Sequence, residues 1–261
     1  MTVACLMGTY GRYRFACDAL ACFLQQTALS EATLLIYNQH PVPLSFDHPR
    51  VRVVNETLPG IGLRRIRERM LELTDPDVEF IHWWDDDDLI LPWHLEACLE
   101  HIGTHDAWKP RRSWTEHGGG LYSLDANIFE ATAIYRASVV RAVPLDIYPD
   151  YPDHPANMLL NDEGRVASTE RGDLSSYLYR WANGIKHLSH YAKTKDGPVA
   201  NVTRLRERMV DTGDGKALVA ADLWPRWHVF LDGIKDMVSP EGLDEINARL
   251  SIAGAMATMD L

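Results

Sequence analysis

The sequence predicts an α/β fold: a Rossmann-like, mostly parallel central sheet flanked by helices, followed by a mainly helical C-terminal extension. Three observations predict it. Short apolar runs alternate with segments whose apolar residues recur at helical spacing. The first run ends in a glycine turn, and the fourth leads directly into Asp85-Asp86-Asp87-Asp88. Such alternation implies parallel strands joined by crossover helices, with ligands bound beyond the carboxyl ends of the strands, where loops converge and helix N-termini point their amides outward.

The elements follow in order. Thr2 to Met7 is a strand ended by Gly8-Thr9-Tyr10-Gly11, and Phe15, Leu20, Phe23 and Leu24 mark the helix after it. Thr33 to Tyr37 is a second strand closed by Asn38-Gln39-His40-Pro41; Val51 to Val54 is a third, closed by Asn55 and the Leu58-Pro59-Gly60 turn. Ile66, Met70 and Leu73 give one face of a helix with arginines on its other faces, and Glu79 to Trp84 is a fourth strand. Pro92 closes the acidic loop, and Trp93 to Ile102 forms an amphipathic helix through Leu95, Cys98, Leu99 and Ile102.

Beyond Trp108 the pattern is less regular. It predicts a strand, a Gly118-Gly119-Gly120 turn, strands around Leu121-Tyr122 and Ala131 to Tyr135, and a short helix from Ala137 to Ala142. Pro144 to Pro155 reads as an irregular loop. Asp173 to Asn183 reads as a helix through Leu174, Tyr177, Leu178 and Trp181, stopped by Gly184, with a last strand over Ile185 to Ser189. From Asn201 the chain is polar and mostly helical, with a helix start at Ser239-Pro240-Glu241. The expected organisation is therefore a domain over 1–200, its halves 1–105 and 106–200, and an extension over 201–261.

The 261 residues and 46% hydrophobic content suit a globular chain with a sizeable core. A net charge of -11 argues against a general binder of nucleic acid or anionic membrane, which needs a basic face. Cys5, Cys17, Cys22 and Cys98 lie in apolar segments without a Cys-x-x-Cys pair, and read as small core residues rather than a disulfide framework or zinc site. No apolar run approaches the roughly 20 residues of a membrane span, and Met1 to Met7 lacks a charged leader. A cytoplasmic location is expected.

Four adjacent aspartates repel one another and hold protons more tightly unless a positive charge neutralises them. A hard divalent cation, Mg²⁺ or Mn²⁺, suits carboxylate oxygens and would also hold the phosphates of a nucleotide. A solvated acidic turn or helix start explains the same residues, and spacing alone does not separate the two.

Asp85-x-Asp87-Asp88-x-x-x-Pro92 after an apolar strand resembles the aspartate motif of family 2 glycosyltransferases of the GT-A fold. Thr9-Tyr10-Gly11-Arg12 resembles that family's Thr-Tyr-Asn-Arg turn, Asn38 stands where an Asp usually contacts the base, and Arg67-Glu68-Arg69 stands where an Ala-Arg-Asn segment precedes the aspartates. The resemblance spans roughly Thr2 to Ser189. It implies an inverting sugar transfer from a nucleotide-diphosphate sugar, a UDP-sugar favoured, to a hydroxyl acceptor: a glycan, a small molecule or a modified nucleic acid. It further implies that Asp85 and Asp86 sit against the nucleotide, with Asp85 at the ribose. Thr9, Tyr10, Arg12, Asn38 and Arg69 line the pocket, and Asp87, supported by Asp88, holds Mn²⁺ or Mg²⁺. The departures are Gly8 for Pro, Gly11 for Asn and the neutral Asn38.

Inverting transfer needs a base for the acceptor hydroxyl. Glu170-Arg171-Gly172-Asp173-Leu174 resembles the family's segment carrying it, with Gly172 in place of the usual Glu, and so implies Asp173; a helix N-cap is the competing role for this residue. Asp162 and Glu163 are the runners-up. By analogy with related folds, His190 is a further metal ligand, with His187 second. Trp108, Trp114, His117, Tyr122 and Lys109-Pro110-Arg111-Arg112 form a candidate acceptor surface or, equally, ordinary core and turn residues. The competing functions are a sugar nucleotidyltransferase and an inactive nucleotide-sugar or carbohydrate binding module. A homodimer is compatible with all of these.

Overall fold

The computed structural model describes residues 1–57, 63–117, 120–125, 130–144, 155–169, 175–180 and 211–257. The chain begins with β1 (Val3–Thr9), α1 (Tyr13–Leu24), β2 (Ala32–Asn38), β3 (Val51–Asn55), α2 (Leu63–Leu73) and β4 (Phe80–Trp83). It continues with β5 (Leu89–Ile90), α3 (His94–Ile102), β6 (Ala107–Pro110), β7 (Arg112–His117) and β8 (Gly120–Asp125). Next come β9 (Ile134–Arg136), α4 (Ala137–Ala142), α5 (Pro155–Asp162), β10 (Val166–Thr169) and β11 (Tyr177–Arg180), then α6 (Trp224–Ile234) and α7 (Pro240–Ala257).

The central sheet has the order β10-β6-β9-β4-β1-β2-β3. All its strands run the same way except β9, which is antiparallel to both β4 and β6. β1 is central because it is apolar on both faces. Cys5 and Met7 join Leu20 and Phe23 of α1 and Leu95, Cys98 and Ile102 of α3 in one core. Ala4 and Leu6 join Ile66 and Met70 of α2, Val140 of α4 and Leu160 of α5 in the other. Period-2 side-chain alternation thus feeds two helix layers. Truncating a fully buried residue such as Leu20 to Ala would cost about 2–5 kcal/mol.

A second sheet, β5-β11-β7-β8, stands beside the first. Here the structure corrects the sequence reading, because Tyr177–Arg180 is a strand and not the middle of a helix. Tyr177 and Leu178 pair with Ile90 and Leu89 of β5, and Leu178 to Arg180 pair with Trp114 to Glu116 of β7. Apolar residues at near-helical spacing fit either element, and strand pairing decided it. The flanks of that predicted helix, the predicted strand Ile185–Ser189 and most of the Pro144–Pro155 loop lie outside the described residues; Pro155 itself opens α5. The short helix Ala137–Ala142 appears where its periodicity places it.

Residues 211–223 form a strap across the start of α1. Asp211 N donates to Gly11 O, Tyr13 N to Asp211 O at 2.6 Å, Leu218 N to Ser45 O at 2.7 Å and Ala221 N to Cys17 O at 3.2 Å. α6 then presents Trp227, Phe230 and Ile234, after Leu223, to the α1/α3 core, and Ile246 and Leu250 of α7 join the same cluster. Among the described residues no helix is long and apolar enough to cross a membrane.

Candidate functional site

β1 and β4 are neighbouring parallel strands with Leu6 opposite Trp83, so the loops that follow them open on the same edge. In the order 3-2-1-4 the chain reverses direction of winding between these two strands, the switch point at which open α/β sheets bind their ligands. Gly11, at φ 60°, takes a left-handed conformation that turns the chain out of β1 and brings Arg12 to the start of α1.

Arg12 lies over the acidic run. Its Nη1 donates to Asp87 Oδ2 at 2.7 Å, its Nε to Asp86 Oδ2 at 3.0 Å and its Nη2 to Asp86 Oδ1. Thr9 Oγ1 donates to Asp86 Oδ2 at 2.6 Å. Asp88 is held from the other side, its Oδ2 by the Tyr177 hydroxyl and its Oδ1 by the Arg180 amide at 2.8 Å. Arg180 Nε donates to the Asp87 carbonyl, its Nη1 to Asp18 Oδ2 at 2.7 Å, and its guanidinium lies 5.2 Å from the Phe15 ring centroid. Asp18 also receives Arg226 of α6. Asp85 is the most exposed of the four aspartates and makes no hydrogen bond among the described residues.

Asp85, Asp86 and Asp88 hold protons tightly. Burial, then Asp88 and Asp87, pushes Asp85 up to about 8 against the pull of Arg67. Burial pushes Asp86 up to about 6 against Arg12. Burial and Asp87 push Asp88 up to about 7. The local cations therefore undercompensate the run, and the oxygens that remain suit a hard divalent ion.

The structure brings Thr9, Arg12, Asp86 and Asp87 together and puts Tyr10 at the neighbouring strand end, edge-on to His40 with ring centroids 5.1 Å apart. Asn38 is buried and bound into its own loop: its Nδ2 donates to Val42 O and Asn55 Oδ1, and its Oδ1 accepts from His40 N. Arg69 is engaged by Glu56 and Glu72. The arginine whose charge reaches Asp85 is instead Arg67, buried 4.5 Å from the Trp83 ring centroid and paired with Glu130. Asp162 ends α5 and Glu163 follows it in the turn just before β10, which places them at the amino-terminal edge of the sheet, opposite the acidic loop; Glu163 pairs there with Arg165. Asp173, His187 and His190 lie outside the described residues.

Sequence reasoning missed Asp18, Arg67, Tyr177 and Arg180 as parts of this site. Asp18 carried a signal: it sits within a stretch of α1 otherwise buried and apolar, and a buried carboxylate demands a partner.

No protein-family model matches the sequence, and no curated protein matches it. Solved structures do. The chain is similar to residues 1–349 of TarS from S. aureus in complex with UDP-GlcNAc: 16% identity over 97% of this chain and 80% of that one, with a TM-score of 0.54. Against the longer S. aureus TarS structure the values are 15%, 98% and 53%, with a TM-score of 0.51. The fold is GT-A. In GT-A terms the first four strands form the half that carries the acidic loop at its carboxyl edge, and β5, β7, β8 and β11 form the small second sheet beside it.

Proposed function

We propose that this chain is an inverting, divalent-metal-dependent glycosyltransferase that moves a sugar from a nucleotide-diphosphate sugar, a UDP-sugar favoured, to a hydroxyl acceptor. The observation that carries the reading is the meeting of Thr9 and Arg12 with Asp86 and Asp87 across the β1/β4 edge of a GT-A sheet. Phosphate-bearing ligands suit this edge, where a cationic side chain and an excess of carboxylates can share a metal-bound diphosphate. TarS, crystallised with UDP-GlcNAc, shares the fold.

In this reading Asp87 holds Mn²⁺ or Mg²⁺ and Asp85 reaches the ribose. Asp88 supports the loop from behind, which agrees with the engagement of both its oxygens by Tyr177 and Arg180. Arg12 moves from Asp87 toward the diphosphate when the donor arrives. The cation, when bound, offsets negative charge on the departing diphosphate. Asp173 accepts the proton of the acceptor hydroxyl, and His190 completes the metal shell. Residues 1–105 serve the donor, 106–200 the acceptor, and 201–261 extend the domain.

The test is calorimetric titration with nucleoside diphosphates and nucleotide sugars, each with and without Mn²⁺. Tight binding of one donor that needs Mn²⁺ and disappears in Asp87→Ala supports the reading. Absence of metal-dependent binding across the panel overturns it. Asp173→Asn should spare binding and eliminate transfer.

A further inference from the structure

Behind the acidic loop, the core between β4 and α3 contains a polar cluster that donor binding does not use. His82 of β4, His94 at the start of α3 and Cys98 one helical turn later are all buried, and their ligand atoms lie within 4.8 Å of one another. His82 Nε2 is 2.7 Å from His94 Nε2, and Cys98 Sγ is 3.6 Å from that same His94 nitrogen. An imidazole nitrogen offers one lone pair or one N–H, so His94 Nε2 cannot serve both neighbours well by hydrogen bonding.

We propose that His82, His94 and Cys98 form a structural site for one Zn²⁺, with Cys5 of β1, which lies outside that 4.8 Å group, drawn in as fourth donor. With Zn–N of about 2.0–2.1 Å and Zn–S of about 2.3 Å, tetrahedral geometry separates a nitrogen from a sulfur by about 3.6 Å. The His94–Cys98 pair already stands at that distance. Two nitrogens require about 3.3 Å, about half an ångström more than the imidazoles now stand apart, and the trio as a whole, its ligand atoms within 4.8 Å of one another, closes around the ion.

Three further features point the same way. His94 Nδ1 lies 2.7 Å from Ser176 Oγ, an outer partner that can accept a hydrogen bond from Nδ1–H and so leave the Nε2 lone pair aimed at the cluster. Burial keeps both imidazoles neutral, the form that ligates. Cys5 stands opposite His82 in the parallel β1/β4 register, on the same sheet face, and packs in the same core cluster as Cys98. On binding, the two thiols release their protons to solvent. Two thiolates, two neutral imidazoles and one dication then sum to zero charge, which suits a site excluded from water. The ion would tie β4 to α3 on either side of the acidic loop, a role distinct from that of Mn²⁺ or Mg²⁺ at the carboxylates.

The experiment is metal analysis of the full chain after dialysis, paired with refolding in Co²⁺. One zinc per chain is expected, together with thiolate-to-cobalt charge-transfer absorption that Cys98→Ser abolishes. Asp87→Asn should leave both signals unchanged, which separates this site from the acidic loop. Should Cys98→Ser fail to fold, wild type melted with and without a strong zinc chelator replaces it, and a clear fall in Tm is expected. Zinc at background, cobalt absorption without charge transfer, or a Tm indifferent to the chelator overturns the proposal and leaves a hydrogen-bonded core cluster.

Discussion

Arg180 and Asp18 meet at 2.7 Å, Nη1 to Oδ2, across 162 positions of sequence, and both are buried. Through this pair α1 grips β11, and β11 grips the acidic loop through the Asp87 carbonyl and an Asp88 oxygen. Removing one member of a buried ion pair leaves the other charge stranded, so Asp18→Ala should cost about 3–5 kcal/mol. Arg226 reaches the same carboxylate with its own side chain 48% exposed, and Arg226→Ala should cost at most about 1 kcal/mol. Urea denaturation of both variants checks this; equal losses would show that the pair does not anchor the loop.

The Tyr177 hydroxyl donates to Asp88 inside the protein. Hydrogen bonds to charged groups contribute about 1.5–3 kcal/mol, and Tyr177→Phe should lose stability in that range while retaining its strand pairing. Because the loop that Asp88 supports also carries Asp87, the same variant should weaken Mn²⁺-dependent donor binding. A variant that loses stability and binds donor as wild type would confine Tyr177 to a structural role.

Arg12 is the cation that bridges Asp86 and Asp87. Arg12→Ala should lower Tm at pH 8, where the carboxylates are most nearly ionised, and much less at pH 6.5. Added Mn²⁺ should restore part of the loss at pH 8. Equal losses at both pH values would mean that Arg12 acts by packing rather than by charge.

The raised carboxyls set a pH dependence of their own. A group whose folded pKa lies above its unfolded value stabilises the fold below the unfolded value and loses that contribution as pH rises through the folded one. For Asp85, pushed up to about 8, the loss extends from about pH 4 to about pH 8. Buried His82, pulled down to about 3, acts in the opposite sense, since its contribution is lost as pH falls below about 6.5. Tm should therefore decline from pH 6.5 to pH 8, and Mn²⁺, which competes with protons for the same oxygens, should raise Tm more at pH 8. A Mn²⁺ shift independent of pH would place the ion elsewhere.

Much of the first half of the chain was legible in the sequence. β1, α1, β2, β3, α2, β4 and α3 each follow a local apolar period bounded by Gly, Pro or Asn, and Asp85 to Asp88 fall directly after β4. Thr9 and Arg12 could be placed with them through the resemblance of Thr9-Tyr10-Gly11-Arg12 to the family's turn; in the structure Thr9 ends β1 and Arg12 opens α1. The second sheet was less legible. β5 is two residues long and has no period to detect, and Tyr177 to Arg180 carried a spacing that fits a helix as well as a strand.

What the sequence determined by itself was therefore the order of the elements from β1 to β4, the faces they bury and the edge at which the acidic run emerges, since each depends on neighbours within a turn or a strand. Tertiary structure alone decided which carboxylates are engaged. Asp86 is bound by residues 74 and 77 positions away and Asp88 by residues 89 and 92 away. It also gathered Cys98 with His82 and His94, residues that look like separate core positions along the chain. The reason is physical: periodicity encodes burial, whereas the partner of a buried polar group is set by which distant surfaces exclude water together.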